Sequence, residues 1–308
     1  MSAQILYNEY MKVMCVSKKR LLAAALLFVI VALALLFAAG GFGKSGEKSL
    51  EVYFVDVGQG DCVFLRSPSG KTMLIDCGED TSYRSVFRFL KGKFVNKIDV
   101  VIATHAHSDH IGGMSRVLSR FKVGKVYLPE MASESEPYIS MIDKIHSRSI
   151  PFAYASVQDT PEIKWDDEVF VKVLAPFKGV DTTLNNSSIV LKITYGDVSV
   201  LLTGDAEHES EELQLDRWSD DELRADVIKL AHHGSATSTS ERYLLAVNPR
   251  LAFVSLDYEN SYGYPSEEVM HLLEKYGIPL NRTDTMGTLC LKTDGKGITV
   301  ENVKWGHN

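Results

Sequence analysis

The most apolar segment of the chain lies close to its N-terminus. Residues 21–39 contain no polar side chain, and they follow Lys18, Lys19 and Arg20. A bilayer core takes about 20 apolar residues in a helix, and basic flanking residues favour the cytoplasmic side. We therefore predict that residues 1–20 are cytoplasmic, that 21–39 anchor the protein in the lipid bilayer of the plasma membrane, and that the rest is extracytoplasmic. Secretion after signal cleavage is the alternative, although the apolar core of a signal peptide is usually about 7 to 15 residues long.

Beyond residue 49, strand-like and helix-like patterns alternate. Alternating or β-branched runs predict strands, and apolar positions three or four residues apart predict amphipathic helices. The predicted strands are 51–57, 62–66, 72–76, 98–103, 123–128, 151–155, 169–174, 189–195, 198–203, 226–231 and 251–256, with a terminal β-hairpin around 286–287 and 294–295. The predicted helices are 81–94, 114–121, 135–147, 206–218 and those that follow Ser238 and Pro265. The interleaving predicts an α/β fold of two sheets flanked by helices, in one domain at 50–308 after a flexible linker at 40–49.

A loop dense in histidine separates the strand at 98–103 from the helix at 114–121. Its sequence, Thr-His-Ala-His-Ser-Asp-His, carries His105, His107, Asp109 and His110. Imidazole and carboxylate ligands suit zinc and tolerate manganese, and burying such a cluster without a cation is costly. We expect the first two histidines to bind one ion and Asp109 with His110 to bind a second. An ordinary polar loop is the alternative.

Further candidates stand where other strands end. Asp76 precedes Cys-Gly, a position that suits a carboxylate orienting metal-bound histidines. Asp205 follows Leu-Leu-Thr-Gly, and its two oxygens can bridge two cations. His232 and His233 precede Gly234, and we predict His233 as the ligand because it adjoins the glycine.

The motif His-x-His-x-Asp-His after an apolar strand resembles the signature of the metallo-β-lactamase fold, an αββα sandwich. This resemblance implies two divalent ions, zinc or manganese. The fold normally supplies one more histidine before Asp205, but Asn-Asn-Ser-Ser stands here at 185–188. The first ion then keeps only His105, His107 and the shared Asp205, so we expect it to bind more weakly than the second. The second ion is expected to have Asp109, His110, Asp205 and His233.

Additional motifs narrow the resemblance. The segments Asp-Val-Gly-Gln-Gly-Asp at 56–61, Asn-x-x-Ser at 185–188, His-His-Gly-Ser at 232–235 and Tyr-Gly-Tyr-Pro-Ser at 262–266 resemble the extracellular metallo-β-lactamase-like domain of ComEC-type competence proteins. The resemblance covers about residues 50–302. Two positions depart from it, since Tyr264 stands where a histidine is common and His107 where an aspartate is common.

By this resemblance the protein is expected to be a metal-dependent hydrolase of a phosphodiester, with single-stranded DNA as the favoured substrate. Asp109 would orient the attacking water, and His232 would stabilise charge or protonate the leaving group. Asp76 would be the carboxylate that orients the metal-binding histidines. The expected substrate contacts are Asn185, Ser188, Ser235, Tyr264 and the helix N-terminus after Ser238.

Charge keeps two other functions open. The chain carries a net charge of −7, and because residues 1–40 carry +3, residues 41–308 carry −10. An acidic domain has no broad electrostatic grip on nucleic acid. The alternatives are a hydrolase of a small or cell-envelope phosphoester, such as a choline-phosphate or teichoic acid unit, and a non-catalytic, metal-stabilised binding domain. Lactam hydrolysis has no support from the site residues.

The predicted exported part has three cysteines, Cys62, Cys77 and Cys290. Their odd number leaves at least one without a partner in the chain. A bond between Cys62 and Cys77 is conceivable across a hairpin, but we expect free, buried thiols because disulfide geometry is narrow. The sequence does not indicate the oligomeric state.

Overall fold

The computed structural model describes residues 7, 9, 11, 25–31, 48–180 and 182–303. The chain divides into two units, residues 1–48 and 49–308. Within the described residues, no helix is both long and apolar enough to cross a membrane. This finding contradicts the predicted single-pass anchor and the localisation derived from it; of residues 21–39, the structure describes 25–31. The remainder of 21–39 lies outside the described residues.

The first sheet has eight strands in the order β14-β13-β1-β2-β3-β4-β5-β6. Its pairs are antiparallel from β14 to β3 and parallel from β3 to β6. The strands are β1 (Leu50–Phe54), β2 (Val63–Arg66), β3 (Thr72–Ile75), β4 (Lys97–Ile102), β5 (Lys122–Leu128), β6 (Phe152–Tyr154), β13 (Leu289–Thr293) and β14 (Ile298–Asn302).

The second sheet has six strands in the order β12-β11-β10-β9-β8-β7. The β7–β8 and β8–β9 pairs are antiparallel, and the pairs from β9 to β12 are parallel. The strands are β7 (Val169–Ala175), β8 (Val190–Tyr195), β9 (Val198–Leu202), β10 (Val227–Lys229), β11 (Leu251–Val254) and β12 (Leu280–Arg282).

Helices cover the outer faces of both sheets. They are α1 (Tyr83–Gly92), α2 (Ser108–Ile111), α3 (Met114–Arg120), α4 (Glu136–Ser147), α5 (His208–Arg217), α6 (Asp220–Leu223), α7 (Glu241–Val247), α8 (Glu267–Lys275) and α9 (Thr283–Met286). Short 3₁₀ turns occur at Asp80–Ser82, Asn185–Ser187 and Ala231–Gly234. The strands and the longer helices match the sequence prediction, whereas β12 and the 3₁₀ turns are too short to show a period.

Three apolar layers hold these elements together. Between the sheets, the rings of Phe54 and Phe253 stack with centroids 4.1 Å apart. Outside the first sheet, α1 buries Val86 and Leu90, and outside the second, α7 buries Leu244. The order is helix, sheet, sheet, helix, which confirms the predicted αββα sandwich.

The carboxyl ends of four strands position the candidate site. In the first sheet β3 and β4 run parallel, and in the second β9 and β10 run parallel. The ends of each pair therefore lie at the same edge of their sheet. Asp76 follows β3, the histidine loop follows β4, Asp205 follows β9, and His232 and His233 follow β10.

All three described cysteines, Cys62, Cys77 and Cys290, are free and buried, as predicted. Burial raises the pKa of the Cys62 and Cys77 thiols well above the usual range, and it raises that of Cys290 to about 11. They are therefore packing residues, since the reactive and metal-binding form of cysteine is the thiolate.

Candidate metal centre

Four ligand atoms meet where the two sheets end. Asp109, His110, Asp205 and His233 each offer one atom, and these atoms all lie within 4.8 Å of one another. Asp205 Oδ2 lies 3.1 Å from His110 Nε2 and 3.6 Å from His233 Nε2, while His233 Nε2 lies 3.2 Å from Asp109 Oδ2. This set is the one predicted for the second ion.

The protons of the two histidines show that the set fits a cation. His233 Nδ1 lies 2.8 Å from the Ser255 carbonyl, which only accepts, so Nδ1 carries the proton. His110 Nδ1 likewise lies 2.8 Å from the Asp76 carboxylate. In a neutral ring the opposite nitrogen, Nε2, is then a bare acceptor, and both Nε2 atoms face carboxylate oxygens.

The contacts of the two Nε2 atoms with carboxylate oxygens place one hydrogen-bond acceptor against another, so they require a positive charge between them. Among the described residues, His110 Nε2 and Asp205 Oδ1 are buried atoms that have no hydrogen-bond partner. Buried polar groups normally have one. A mixed nitrogen and oxygen donor set suits zinc and manganese alike, so the residues fit a divalent ion without distinguishing the two.

The electrostatics of the cluster point the same way. Burial alone would lower the pKa of His110, but the neighbouring Asp205 and Asp76 outweigh it and raise that pKa well above the usual range. Burial also opposes the shift at His233, whose pKa is raised chiefly by Asp205 and Asp109. Although burial would raise the pKa of Asp205, His110 and His233 lower it well below normal. Without metal, the neighbouring carboxylates therefore make protonation of both rings more favourable than in a free histidine.

Metal affinity is accordingly expected to rise with pH and to be accompanied by proton release. A cation competes with protons for His110 and His233, whose pKa values the neighbouring carboxylates raise, so acidification weakens binding. Calorimetric titration of the metal-free chain with Zn²⁺ in buffers of different ionisation enthalpy measures the released protons. Replacing the exposed His146 with glutamine is the matched control and should leave that number unchanged. Affinity independent of pH, without proton release, would contradict this.

Asp76 positions a ligand. Its Oδ1 accepts from the Thr104 backbone N–H at 2.8 Å, and its Oδ2 accepts from the Thr104 hydroxyl at 2.6 Å and lies 2.8 Å from His110 Nδ1. The carboxylate is 1% exposed. Because it is buried behind His110, we assign it to orienting that ring, and it does not itself meet the substrate.

The predicted first site is less complete. His105 Nε2 lies 3.0 Å from His107 Nδ1 and 3.9 Å from Asp205 Oδ2. The other ring nitrogen of His105, Nδ1, lies 3.3 Å from Ser188 Oγ. Ser188 belongs to the segment 185–188, which stands in the sequence where a further histidine was expected. His105 and His107 with Asp205 thus remain the predicted ligands of a weaker first ion.

A buried ion pair behind the cluster was not predicted. Lys229 Nζ lies 2.6 Å from Asp61 Oδ2, and both side chains are almost fully buried. Asp61 Oδ1 lies 3.7 Å from His233 Nδ1, and the Asp61 N–H donates to the Asp109 carbonyl. Gly60 permits this approach, since a Cβ there would lie 2.1 Å from that carbonyl oxygen. The available signal was the single charge in the apolar strand Val-Ile-Lys at 227–229.

The turn after β10 separates its two histidines. His232 and His233 both have left-handed backbone, with φ of 48° and 54°, and Gly234 follows with φ of 82°. His233 is buried in the cluster, whereas the His232 side chain is 21% exposed at its rim. Left-handed non-glycine residues cost about 1–3 kcal/mol each and concentrate at functional sites. The turn thus places His233 as a candidate metal ligand and leaves His232 at the rim, where it can meet a substrate.

His232 has a carboxylate partner that sequence reasoning missed. Its Nδ1 lies 3.2 Å from Glu207 Oε1, and its Nε2 lies 4.0 Å from Asp205 Oδ2. The Thr237 hydroxyl donates to the same Glu207 oxygen at 2.6 Å. Glu207 therefore lies against the Nδ1 side of the His232 ring, and Nε2 faces the cluster.

Two of the predicted substrate contacts belong to the framework instead. Ser188 is fully buried, and its hydroxyl accepts from the Asp205 N–H at 3.1 Å. Ser235 is 3% exposed, and its hydroxyl pairs with Thr237 Oγ1 at 3.0 Å. Both serines shape the site without facing solvent, so they are unavailable to a substrate. Asn185 is partly exposed and remains a predicted contact.

The predicted phosphate site at a helix N-terminus is also wrong. The helix begins at Glu241, and its N-cap is Ser240, whose side chain accepts from the Tyr243 N–H. The buried carboxylate of Glu211 accepts from the N–H groups of Thr239 and Ser240. The protein thus already supplies the negative charge that a phosphate would bring.

Comparisons with known proteins agree with this geometry. A family model described as the metallo-beta-lactamase superfamily matches residues 55–256. ComE operon protein 3 of Bacillus subtilis is 31% identical, over 78% of this chain and 32% of that protein. Competence protein ComA of Neisseria gonorrhoeae is 28% identical, over 84% of this chain and 34% of that protein. The chain therefore spans about a third of the length of these curated relatives.

The fold also has counterparts among solved structures. The metallo-beta-lactamase fold protein YhfI from Bacillus subtilis superposes with a TM-score of 0.54 at 12% identity, covering 80% of this chain and 100% of that one. At such low identity the likeness concerns the fold alone. Together with the family match over residues 55–256, the observations show that the chain belongs to the metallo-β-lactamase superfamily.

Proposed function

We propose that this protein is a metal-dependent phosphodiesterase that cleaves single-stranded DNA. Its fold and its candidate metal ligands are those of a metal-dependent hydrolase. Its relatives include ComE operon protein 3 and competence protein ComA. The observation that carries the proposal is the cluster of Asp109, His110, Asp205 and His233, whose bare nitrogens and carboxylate oxygens face one another.

Asp109 is the ligand best placed to meet the substrate. Its side chain is 24% exposed, whereas those of His110, Asp205 and His233 are 2% exposed or less. Although burial opposes the shift, His233 and His110 hold the pKa of Asp109 below its usual range, so it stays an acceptor. Divalent ions bound here would lower the pKa of a water molecule and neutralise phosphate charge. Asp109 then accepts a hydrogen bond from the attacking water and aligns it.

His232 is placed to serve the leaving group. Glu207 Oε1 lies 3.2 Å from Nδ1 of the ring, so the opposite nitrogen, Nε2, faces the cluster, and in the acid form of the ring Nε2 carries a proton. From the rim of the cluster, His232 Nε2 gives this proton to the oxygen that leaves the phosphate. General acid catalysis of this kind contributes roughly 10²–10⁴-fold.

One observation favours a second candidate. Residues 41–308 carry a net charge of −10, and a short phosphoester meets less repulsion than a long polyanion does. A choline-phosphate or teichoic acid unit is such a substrate. A binding domain without turnover is the third reading, and one experiment separates all three.

The test uses the full-length chain, stripped of metal and reloaded with Mn²⁺ or Zn²⁺. Single-stranded DNA, duplex DNA and bis(p-nitrophenyl) phosphate are the substrates, with Asp109→Ala as the inactive variant. Asp143→Ala, which changes an exposed aspartate on α4, is the matched control. Metal-dependent cleavage of single strands and of the ester, lost only in Asp109→Ala, is expected.

The other outcomes assign the protein elsewhere. Cleavage of the ester without cleavage of DNA favours the small-phosphoester reading. Bound metal with no turnover of any substrate overturns the phosphodiesterase and favours the binding domain.

A further inference from the structure

A line of aromatic rings leads from the metal centre to solvent. The Tyr264 ring meets the His232 ring edge to face, with centroids 5.7 Å apart at 65°. The Tyr262 ring then stacks on Tyr264, with centroids 5.5 Å apart and planes only 16° from parallel. Since His232 lies at the rim of the cluster, two ring contacts connect that rim to Tyr262.

The outer ring of this line has a face open to solvent. Tyr262 is 66% exposed, and Tyr264 covers only one face of its ring. A flat aromatic surface of this kind provides large contact area with few torsions to restrict. The open face of Tyr262 is therefore a surface suited to a planar ligand.

The loop that carries the rings is fixed by its own hydrogen bonds. The Asn260 side chain accepts from the Tyr264 N–H at 2.9 Å and donates to the carbonyls of Tyr264 and Asp257, each at 2.9 Å. These bonds hold the loop closed in the free protein. Preorganisation of this kind lowers the entropic cost of binding.

We propose that the open face of Tyr262 binds a nucleobase of the substrate, close to the phosphate that is cleaved. This inference rests on the proposed phosphodiesterase function and names the contact that recognises a single strand. A base can stack on the Tyr262 ring only when it is not stacked between its neighbouring bases, and single strands provide such bases. Every base has an aromatic face, so the contact would be tolerant of sequence.

The net charge of the domain does not favour a contact made through phosphate groups. Residues 41–308 are acidic overall, and the Arg282 guanidinium is paired with the Asp284 carboxylate at 2.7 Å. Proteins that bind nucleic acid through phosphate contacts lose affinity steeply with salt. Stacking needs no positive charge, so it reconciles an acidic domain with a nucleic-acid substrate.

The ring geometry also favours a base over a quaternary ammonium group such as choline. Aromatic cages hold such a cation by surrounding it with ring faces. The rings of Tyr262 and Tyr264 are nearly parallel, and the faces that they turn toward each other are stacked together. What remains is one flat surface, which matches a planar base better than a rounded cation.

The test compares an intact single strand with the same strand carrying abasic sites. The metal-loaded, full-length chain should show a KM about 5- to 150-fold higher for the abasic strand, the range that base–aromatic stacking gives. In Tyr262→Ala this ratio should fall to about one, and in Tyr262→Trp it should return. Phe94→Ala removes an 88% exposed ring before β4, at the opposite end of that strand from the histidine loop, and should keep the wild-type ratio.

Other outcomes overturn the inference without ambiguity. If Tyr262→Ala raises both KM values equally and the ratio persists, the ring is only structural. A second contrary outcome is that phosphocholine inhibits hydrolysis of bis(p-nitrophenyl) phosphate by the wild type but not by Tyr262→Ala. If the ratio of the KM values for the abasic and intact strands is then also unchanged in Tyr262→Ala, the surface binds a quaternary ammonium.

Failure of the proposed function has a separate signature. In that case the wild type cleaves neither DNA nor bis(p-nitrophenyl) phosphate, and fluorescence anisotropy of the same strands replaces KM. Weaker binding of the intact strand by Tyr262→Ala, but not by Phe94→Ala, would still support the stacking contact. Equal binding by both variants would overturn it.

Discussion

Asp205→Asn is expected to abolish metal-dependent hydrolysis and to empty both predicted ion sites. Asp205 Oδ2 lies within 4.0 Å of a nitrogen of His105, His110, His232 and His233. Asparagine keeps the shape of the side chain but removes the charge and places an N–H₂ group or a neutral oxygen among those rings. Loss of an outer partner of a metal ligand typically costs 10- to 100-fold. Loss of this shared carboxylate should cost more than about 100-fold in kcat/KM.

Metal content and activity must be measured together to test this. Elemental analysis of the reloaded variant should show less bound metal than in the wild type, in parallel with the loss of activity. The matched control is Asp216→Asn, which makes the same change at an exposed position on α5. An Asp205→Asn variant with full metal content and wild-type turnover would remove Asp205 from the centre.

The sequence predicted the features that are local in the chain. Strands such as β4 and β9 end in apolar runs, Val-Val-Ile and Val-Leu-Leu, because both faces are buried there, and the histidine loop places four candidate ligands within six residues. Asp76, Asp205 and His233 could be recognised as candidates because each stands where a predicted strand ends. In the structure β3 and β4, and likewise β9 and β10, run parallel, so the carboxyl ends within each pair coincide.

Features that depend on distant partners could not be predicted in this way. Whether Ser188 faces substrate or framework depends on His105, which comes from the other sheet. The roles of His232 and His233 depend on two left-handed residues in succession, a conformation that side-chain pattern does not encode. The phosphate site predicted after Ser238 failed because Glu211, on another helix, already occupies the N-terminus of α7.

The ion pair of Asp61 and Lys229 is the strongest case of such dependence. One partner follows a glycine in the loop between β1 and β2, and the other ends β10 in the second sheet. Either residue alone suggests an ordinary turn or an edge position. Only the packing of the two sheets brings Lys229 Nζ to 2.6 Å from Asp61 Oδ2 and excludes water from both.

Lys229→Met is therefore expected to destabilise the metal-free protein by about 3–5 kcal/mol, the range for removing one partner of a buried ion pair. Methionine fills much of the same volume, so the loss comes mainly from the unpaired Asp61 carboxylate. The double variant Asp61→Asn with Lys229→Met should recover most of the stability, because no buried charge remains. Urea denaturation without metal measures the difference, since bound metal would add its own stabilisation.

Lys292→Met, an exposed lysine on β13, is the matched control and should change stability by no more than about 0.5 kcal/mol. If Lys229→Met costs no more than this control, the pair does not stabilise the fold. The single variant should also bind metal less tightly than the double variant. An unpaired Asp61, with Oδ1 3.7 Å from His233 Nδ1, favours the protonated ring and so competes with the cation for Nε2. Lys229 thus protects the metal centre by neutralising the carboxylate behind it.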